Sequence, residues 1–503
     1  MALFDLLRMR ADATPLACAC PARDYAALRQ RVERLASAWR ALGLRPGERV
    51  AFADGNTPRY LEAYFAAAAG GFIFVPLNTR LGVAELRRIL VDAQPALICA
   101  ESSFMPLCRE ALATNMPRLV ELGGAACAHE ALIAQAPPFA GAHPVCAEDP
   151  AHIYYTSGTT GAAKGVVLTH ANVATHARAA AAELSLSAAD TWGHIAPMFH
   201  LADAWAVFAI TLVGGRHVFL PRFEPAAALH LFVHEGITIT NLVPTMLNSL
   251  VQQSGVQELR FPALRRILSG GAPIAPALVR RIMDTFRCEY INTYGMTETS
   301  PYLTLSLPQT AFSVAEDFSR RAMTGRAFQG IELRVVRDDG TAVERDGVAV
   351  GEIQVRGATV TPGYWRNAAA TAAAFTADGF LRTGDLAVQD SLGWVNIVDR
   401  KKDVIITGGE KVYTTEVEAA LATHADIVEC AVFSRPSECW GEEVTAAVVL
   451  RTGCVTDADA IIAHCTALLS AWKVPKQIVF LAALPRTGSG KISKQSLRAI
   501  QPS

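Results

Sequence analysis

The stretch Ile153-Tyr154-Tyr155-Thr156-Ser157-Gly158-Thr159-Thr160-Gly161-Ala162-Ala163-Lys164-Gly165 is the most informative part of this chain. Its first three residues are a short apolar and aromatic run, the signature of a strand, and the run breaks directly into a glycine-rich loop. Gly158, Gly161 and Gly165 permit positive φ, so successive backbone N–H groups can converge on an anion. Thr156, Ser157, Thr159 and Thr160 add hydroxyl donors, and Lys164 adds a positive charge. A phosphate cradle explains every one of these residue types, which a merely flexible Gly/Thr loop does not. The spacing excludes the P-loop of NTPases, in which Gly-Lys-Ser/Thr follows the first glycine after four residues; here Lys164 precedes Gly165.

Around this loop, the first 300 residues alternate short apolar runs with longer amphipathic segments, the pattern of a parallel sheet covered by helices. Arg49 to Phe52 reads as a strand ending in the turn Asp54-Gly55-Asn56, followed by an Ala-rich helix from Pro58 to Ala69. Phe72 to Pro76 and Ala96 to Ala100 repeat the theme, and further strands are expected at 216–220, 237–243, 265–269 and 288–294. Near residue 325 the character changes. Period-two segments at 331–337 and 350–356, with an Asp-Gly turn between them, predict a small antiparallel region that continues at 394–398. The charge run Asp399-Arg400-Lys401-Lys402-Asp403 then reads as a linker. Beyond it, helix and strand alternate: helix 414–423, strands 427–433 and 444–450, helix 456–470.

Composition narrows the function classes. The chain has 503 residues, 51% hydrophobic and 18% charged, with a formal net charge of −1. This excludes a disordered chain and gives no general attraction to nucleic acid or an acidic membrane. The longest uncharged apolar stretches, Tyr64 to Leu77 and Ala204 to Gly215, fall short of the ~20 residues a membrane span needs. Asp5 interrupts what would be the apolar part of a signal peptide, and Gln501-Pro502-Ser503 is not a peroxisomal address, so the cytoplasm is expected. The 11 cysteines are odd in number and widely spread, without a CxxC; Cys18 and Cys20 have no matching zinc partners, so reduced thiols are expected. Lysine occurs only at 164, 401, 402, 411, 473, 476, 491 and 494. A chain that uses arginine for routine solvation keeps lysine where a compact ammonium is needed.

Six further segments follow the loop in order: Pro197-Met198-Phe199-His200, Ser269-Gly270-Gly271-Ala272-Pro273, Tyr294-Gly295-Met296-Thr297-Glu298, Thr383-Gly384-Asp385, Asp399-Arg400-Lys401-Lys402-Asp403 and Pro485-Arg486-Thr487-Gly488-Ser489-Gly490-Lys491-Ile492. Together they resemble the adenylate-forming superfamily of acyl- and aryl-CoA synthetases, peptide-synthetase adenylation domains and firefly luciferase. The resemblance implies a two-step reaction. A carboxylate attacks the α-phosphorus of ATP and expels pyrophosphate, and a thiol then displaces AMP from the acyl-adenylate.

Roles carried over by the resemblance follow the charge of that reaction. Lys491, on a Gly-rich turn, bridges the substrate carboxylate and the α-phosphate during adenylation and leaves for thioester formation. Glu298 is the Mg2+ ligand, and Thr297 donates to the α-phosphate. Tyr294 stacks on adenine, Asn292 approaches its amine, and Gly271, Ala272, Gly295 and Met296 belong to the same nucleotide site. Thr156, Ser157, Gly158, Thr159, Thr160, Gly161 and Lys164 hold the phosphates. Asp385 and Arg400 hold the ribose hydroxyls. His200 stands beside the carboxylate as a gate; a general base is not required, because a carboxylate is already deprotonated at neutral pH. Lys402 is the hinge position, Gly408 and Gly409 line the pantetheine tunnel, and Trp440 and Trp472 to Lys476 approach CoA.

The implied fold is α/β. A large N-terminal domain of packed α/β sheets, residues 1–399, includes a β-rich subdomain at about 326–398. A hinge at 400–403 leads to a small mobile α+β lid at 404–503. The implied ligands are ATP, Mg2+, CoA and a small carboxylic acid, medium-chain or aromatic, with a homodimer left open. Pocket positions by family are Ala204, Trp205, Thr245, Ser269, Gly270, Gly271 and Met296. Asp203 either faces the acid or serves the helix as cap or ion pair. The rival readings are an enzyme that loads a carrier-protein thiol and a non-catalytic module that binds an acyl-adenylate or nucleotide.

Overall fold

Val50 to Ala53 are fully buried, and parallel partners flank their strand, Arg49–Ala53, on both sides: Ile73–Pro76 on one, Leu97–Glu101 and then Arg118–Leu122 on the other. Parallel neighbours require crossovers. The helices Pro58–Gly70 and Val83–Ala93 supply two of them. The computed structural model describes residues 2–10, 16–18, 22–112, 117–123, 127–157, 163–308, 320–486 and 492–500. Among these, a seven-stranded sheet is completed by Pro150–Ser157, its antiparallel neighbour Ala163–Thr169 and the edge strand Gly363–Tyr364. Ala51, Val75, Leu86, Ile89, Ile98 and Ile153 form a core on one face of it.

A nine-stranded sheet among the described residues has a parallel centre. Its neighbours run Arg216–Phe219, Thr191–His194, Ile239–Asn241, Arg266–Gly270 and Glu289–Gly295. Their carboxyl ends therefore share one edge, where ligands of open α/β sheets bind. The connecting helices include Leu201–Val213, Pro225–His234, Pro244–Val251 and Pro276–Phe286. Phe232, Leu247, Ile267, Ile282, Phe286 and Tyr290 bury the face between these helices and the strands.

The chain divides into two compact units, 1–332 with 355–381, and 333–354 with 382–503. The β-rich stretch is thus shared between them. The second unit holds most of a four-stranded sheet, Ile331–Val336, Gly351–Gly357, Leu381–Gln389 and Val395–Arg400, whose last two strands pair antiparallel. It also holds the long hairpin Ile427–Ser437 with Gly441–Leu450, whose core is built from Val417, Leu421, Val432, Val444, Ala446 and Ile461. In the charge run at 399–403, Asp399 and Arg400 end a strand; Asp399 and Asp403 are buried, while Arg400, Lys401 and Lys402 are exposed. Seven of the eight lysines fall in this unit. No helix of the described residues is long and apolar enough to cross a membrane.

Candidate active site

The strands Pro150–Ser157 and Ala163–Thr169 are the two arms of a hairpin, with Thr156 opposite Lys164 and Ser157 opposite Ala163. Gly158, Thr159, Thr160 and Gly161, expected to cradle phosphate, lie outside the described residues. Lys164 places its Nζ 5.0 Å from the ring centroid of Tyr364, a cation–π contact. Tyr364 reaches this place because its two-residue strand pairs with Val166 and Val167. Its hydroxyl donates to Oε1 of the buried Glu298 at 3.0 Å. Burial, and then the Glu298 charge, push the Tyr364 phenol well above its ordinary pKa. Thr361 ties the same parts together: its N–H donates to the Glu298 carbonyl at 2.8 Å and its hydroxyl to the Val167 carbonyl at 2.5 Å. Lys164 and Glu298, far apart in the chain, thus meet through Tyr364. Sequence reasoning missed Tyr364. An aromatic in a two-residue edge strand carries no periodic signal, and only the pairing reveals where it stands.

Gly271, Ala272 and the segment Tyr294 to Glu298 stand at the carboxyl ends of the adjacent strands Arg266–Gly270 and Glu289–Gly295. Gly271 and Ala272 are exposed, and Tyr294, Gly295, Met296 and Thr297 are half-buried. Gly295 has no room for a side chain, since a Cβ there would stand 1.8 Å from the Pro301 carbonyl oxygen. Asn292 uses its Nδ2 to donate to the carbonyls of Met323 at 2.9 Å and Ala322 at 3.4 Å. With the nitrogen committed to the protein, only Oδ1 is suited to accept from an amine.

His200 caps the N-terminus of Leu201–Val213, and its carbonyl accepts from the N–H groups of Asp203 and Ala204, both at 3.1 Å. Its ring meets Phe199 edge-on at 4.7 Å. Asp203 does not face the acid. It is fully buried and accepts from Trp192 Nε1 at 3.1 Å and pairs with His194 Nδ1 at 2.6 Å. Trp205 is also no pocket wall. It is 1% exposed, packs on Trp192 and Tyr302, and donates to the Ala202 carbonyl at 3.1 Å. A helix buried on nearly every side gives no periodicity from which to tell wall from core.

In the second unit Asp385 and Arg400 are direct cross-strand partners, Oδ1 to Nε 3.5 Å. Thr383 holds the preceding turn by donating to the Ile353 carbonyl at 2.8 Å and accepting from the Asp385 N–H at 3.1 Å. Burial is the main influence that lowers the Lys402 ammonium below its ordinary pKa. Gly408 and Trp440 come together: the Gly408 N–H donates to the Trp440 carbonyl at 2.9 Å. With φ of +58°, and with the indole 3.0 Å from where a Cβ would stand, Gly408 tolerates no larger residue. Lys491 lies outside the described residues. The helix just after it, Lys494–Arg498, is anchored by Lys494 to Thr414 Oγ1 at 2.6 Å and Glu418 at 2.9 Å, and by Arg498 to Asp403 at 3.2 Å.

Comparison with known proteins agrees along the whole chain. A family model described as AMP-binding enzyme matches residues 8–365, and one described as AMP-binding enzyme C-terminal domain matches residues 416–491. A long-chain-fatty-acid–CoA ligase of Thermus thermophilus is 36% identical over 489 residues, covering 94% of this chain and 89% of that protein. A feruloyl-CoA synthase of an Amycolatopsis species is 36% identical over 493 residues, covering 98% and 96%. The solved structure of ATP-bound MatB from Rhodopseudomonas palustris matches with a TM-score of 0.91 at 31% identity, covering 99% of each chain.

Proposed function

This chain belongs to the AMP-binding enzyme family, and on that premise we propose its reaction: an ATP-dependent ligation of a carboxylic acid to CoA. The acid and ATP give an acyl-adenylate and pyrophosphate; CoA then gives the thioester and AMP. The observation that carries this reading is the chain Lys164–Tyr364–Glu298, which joins the lysine of a Gly/Thr hairpin to the carboxylate of Tyr294 to Glu298. Anion-binding and cation-binding groups on one cluster are what a polyphosphate substrate requires.

The first step gathers negative charge around phosphorus, so the protein contributes mostly position and compensating charge. In our reading Lys164 and the hairpin hydroxyls hold the phosphates, and Thr297 donates to the α-phosphate. Tyr294 and Asn292 fix the base, and Asp385 with Arg400 fixes the ribose. His200 stands beside the carboxylate, and Lys491 offsets the charge of the transition state. Glu298 offers a hard oxygen donor that suits Mg2+, a cation usually held by one or two carboxylates plus phosphate oxygens. When bound, that ion neutralises phosphate charge. Gly408, Gly409 and Trp440 admit the pantetheine arm, and the turn at 400–403, with Lys402, is the hinge on which residues 404–503 rotate between the steps. The acid is of medium-chain or aromatic class. The free cysteines of the described residues support a reducing compartment, and we place the enzyme in the cytoplasm.

A panel of medium-chain and aromatic acids incubated with ATP, Mg2+ and CoA tests this. AMP and acyl-CoA are expected in equal amounts with at least one acid. ADP in place of AMP would refute adenylation. Adenylate formation that transfers only to a carrier-protein thiol would replace CoA as the acceptor.

A further inference from the structure

The turn Asp54 to Thr57 follows the strand Arg49–Ala53 in the seven-stranded sheet, yet its contacts are with the nine-stranded one. Asp54 anchors it from within. That buried carboxylate accepts from Arg59 Nε and Nη2 at 2.7 and 2.8 Å, from Thr57 Oγ1 at 2.7 Å and from the Gly55 N–H at 2.9 Å. The Asn56 N–H donates to the Pro221 carbonyl at 3.1 Å. From this fixed base the Asn56 side chain, 4% exposed, reaches the segment between Thr191–His194 and the helix Leu201–Val213. Nδ2 donates to the carbonyls of His194 at 3.0 Å and Ala196 at 2.9 Å, while Oδ1 accepts from the Met198 N–H at 2.9 Å. Two carbonyls on one side and an N–H on the other leave no ambiguity about the amide's orientation. Tyr64 adds a fourth bond, its hydroxyl donating to the Met198 carbonyl at 3.1 Å.

The segment thus held is Pro197-Met198-Phe199 and its approach, and it ends at His200. Irregular backbone inside a protein has to find partners for its polar groups. Here Asn56, from the turn, and Tyr64, from the helix Pro58–Gly70, provide them at His194, Ala196 and Met198, just before the residue that stands beside the acid. We infer that Asn56 is a positioning residue for the acid site: it fixes the path of residues 194–198 and so the place of His200, without touching a substrate. This rests on the assignment of His200 to the carboxylate.

Asn56→Asp tests it. The substitution preserves shape but points a carboxylate oxygen at two carbonyl oxygens, which displaces the segment. Expected is a rise of about tenfold or more in KM for the carboxylic acid in pyrophosphate-release assays, with KM for ATP within about twofold. The effect should vanish in the His200→Ala background, where there is no gate left to misplace. A rise in both KM values alike, or an Asn56 effect undiminished beside His200→Ala, would overturn the inference. If His200→Ala alone leaves the KM for acid unchanged, the assignment of His200 fails, and the inference fails with it. Should Asn56→Asp not fold, as judged by the absence of a cooperative thermal transition, Tyr64→Phe carries the test. It removes one bond to the same segment and is expected to raise the acid KM about threefold with ATP unaffected; an unchanged acid KM overturns the proposal.

Discussion

Tyr364 joins the two halves of the proposed phosphate site through a single hydroxyl, so its removal has a definite cost. A hydrogen bond to a charged partner contributes about 1.5–3 kcal/mol, and Tyr364→Phe removes that bond while leaving the ring beneath Lys164. Adenylation at subsaturating ATP is expected to fall about tenfold or more, with a greater demand for Mg2+. Pyrophosphate release across a Mg2+ titration measures it, and wild-type behaviour would refute the link. Lys491 is a different case: its proposed role belongs to one half-reaction. Lys491→Ala should slow acyl-adenylate formation by about 10²-fold or more, the scale of losing a transition-state charge donor. Thioester formation from supplied acyl-AMP should be largely spared. Equal losses in both steps would defeat the assignment.

Among elements, the helix Pro58–Gly70 is tied to its neighbours by a buried carboxylate. Glu62 is fully buried and receives Arg31 from Tyr25–Ala41 at 2.6 Å, Arg23 at 2.8 Å and His129 from Ala128–Gln135 at 2.9 Å. Burial alone would raise its pKa, but bonds from His129 and Arg31 outweigh burial and hold it at about 2, against an ordinary 4.5. A depressed carboxylate pKa gives stability that is complete above pH 4.5 and lost as pH falls towards 2. Glu62→Gln leaves Arg31 and Arg23 without their anion and is expected to cost about 3–5 kcal/mol near neutral pH. The gap between variant and wild type should narrow as pH falls from 4.5 towards 2. Chemical denaturation at several pH values measures both; a gap that widens in acid would contradict this account.

For the molecule as a whole, histidines buried as neutral rings contribute to the loss of stability in acid. Burial lowers His152 and His176 to about 3 and His170 to about 4. His176 Nε2 accepts from the Tyr302 N–H and His170 Nδ1 from the Leu3 N–H, which only the neutral ring can do. Below pH 6.5 the unfolded chain takes up protons that the folded one refuses. Stability should therefore fall by roughly 1.4 kcal/mol per pH unit for each such ring, from about pH 6 to 4. Thermal midpoints at pH 7.5, 6 and 5 test this, and a constant midpoint would refute it. Much of the plan was legible in the residues, because strands and the motifs at strand ends announce themselves within a dozen positions. Asp385 and Arg400, paired by the resemblance, stand opposite each other across two strands. Tyr364, Asn56 and Glu62 were not legible. Their partners lie tens to well over a hundred positions away, and local periodicity says nothing about which loop a buried side chain will meet. Trp205 and Asp203 show the converse, since proximity to a motif in sequence left both packed inside the core. Finally, the crowding of lysines beyond residue 400 has a practical consequence. Succinimidyl dyes or aldehyde resins will attach largely through that end of the polypeptide, so an immobilised or cross-linked sample would be fettered at the part for which we propose rotation.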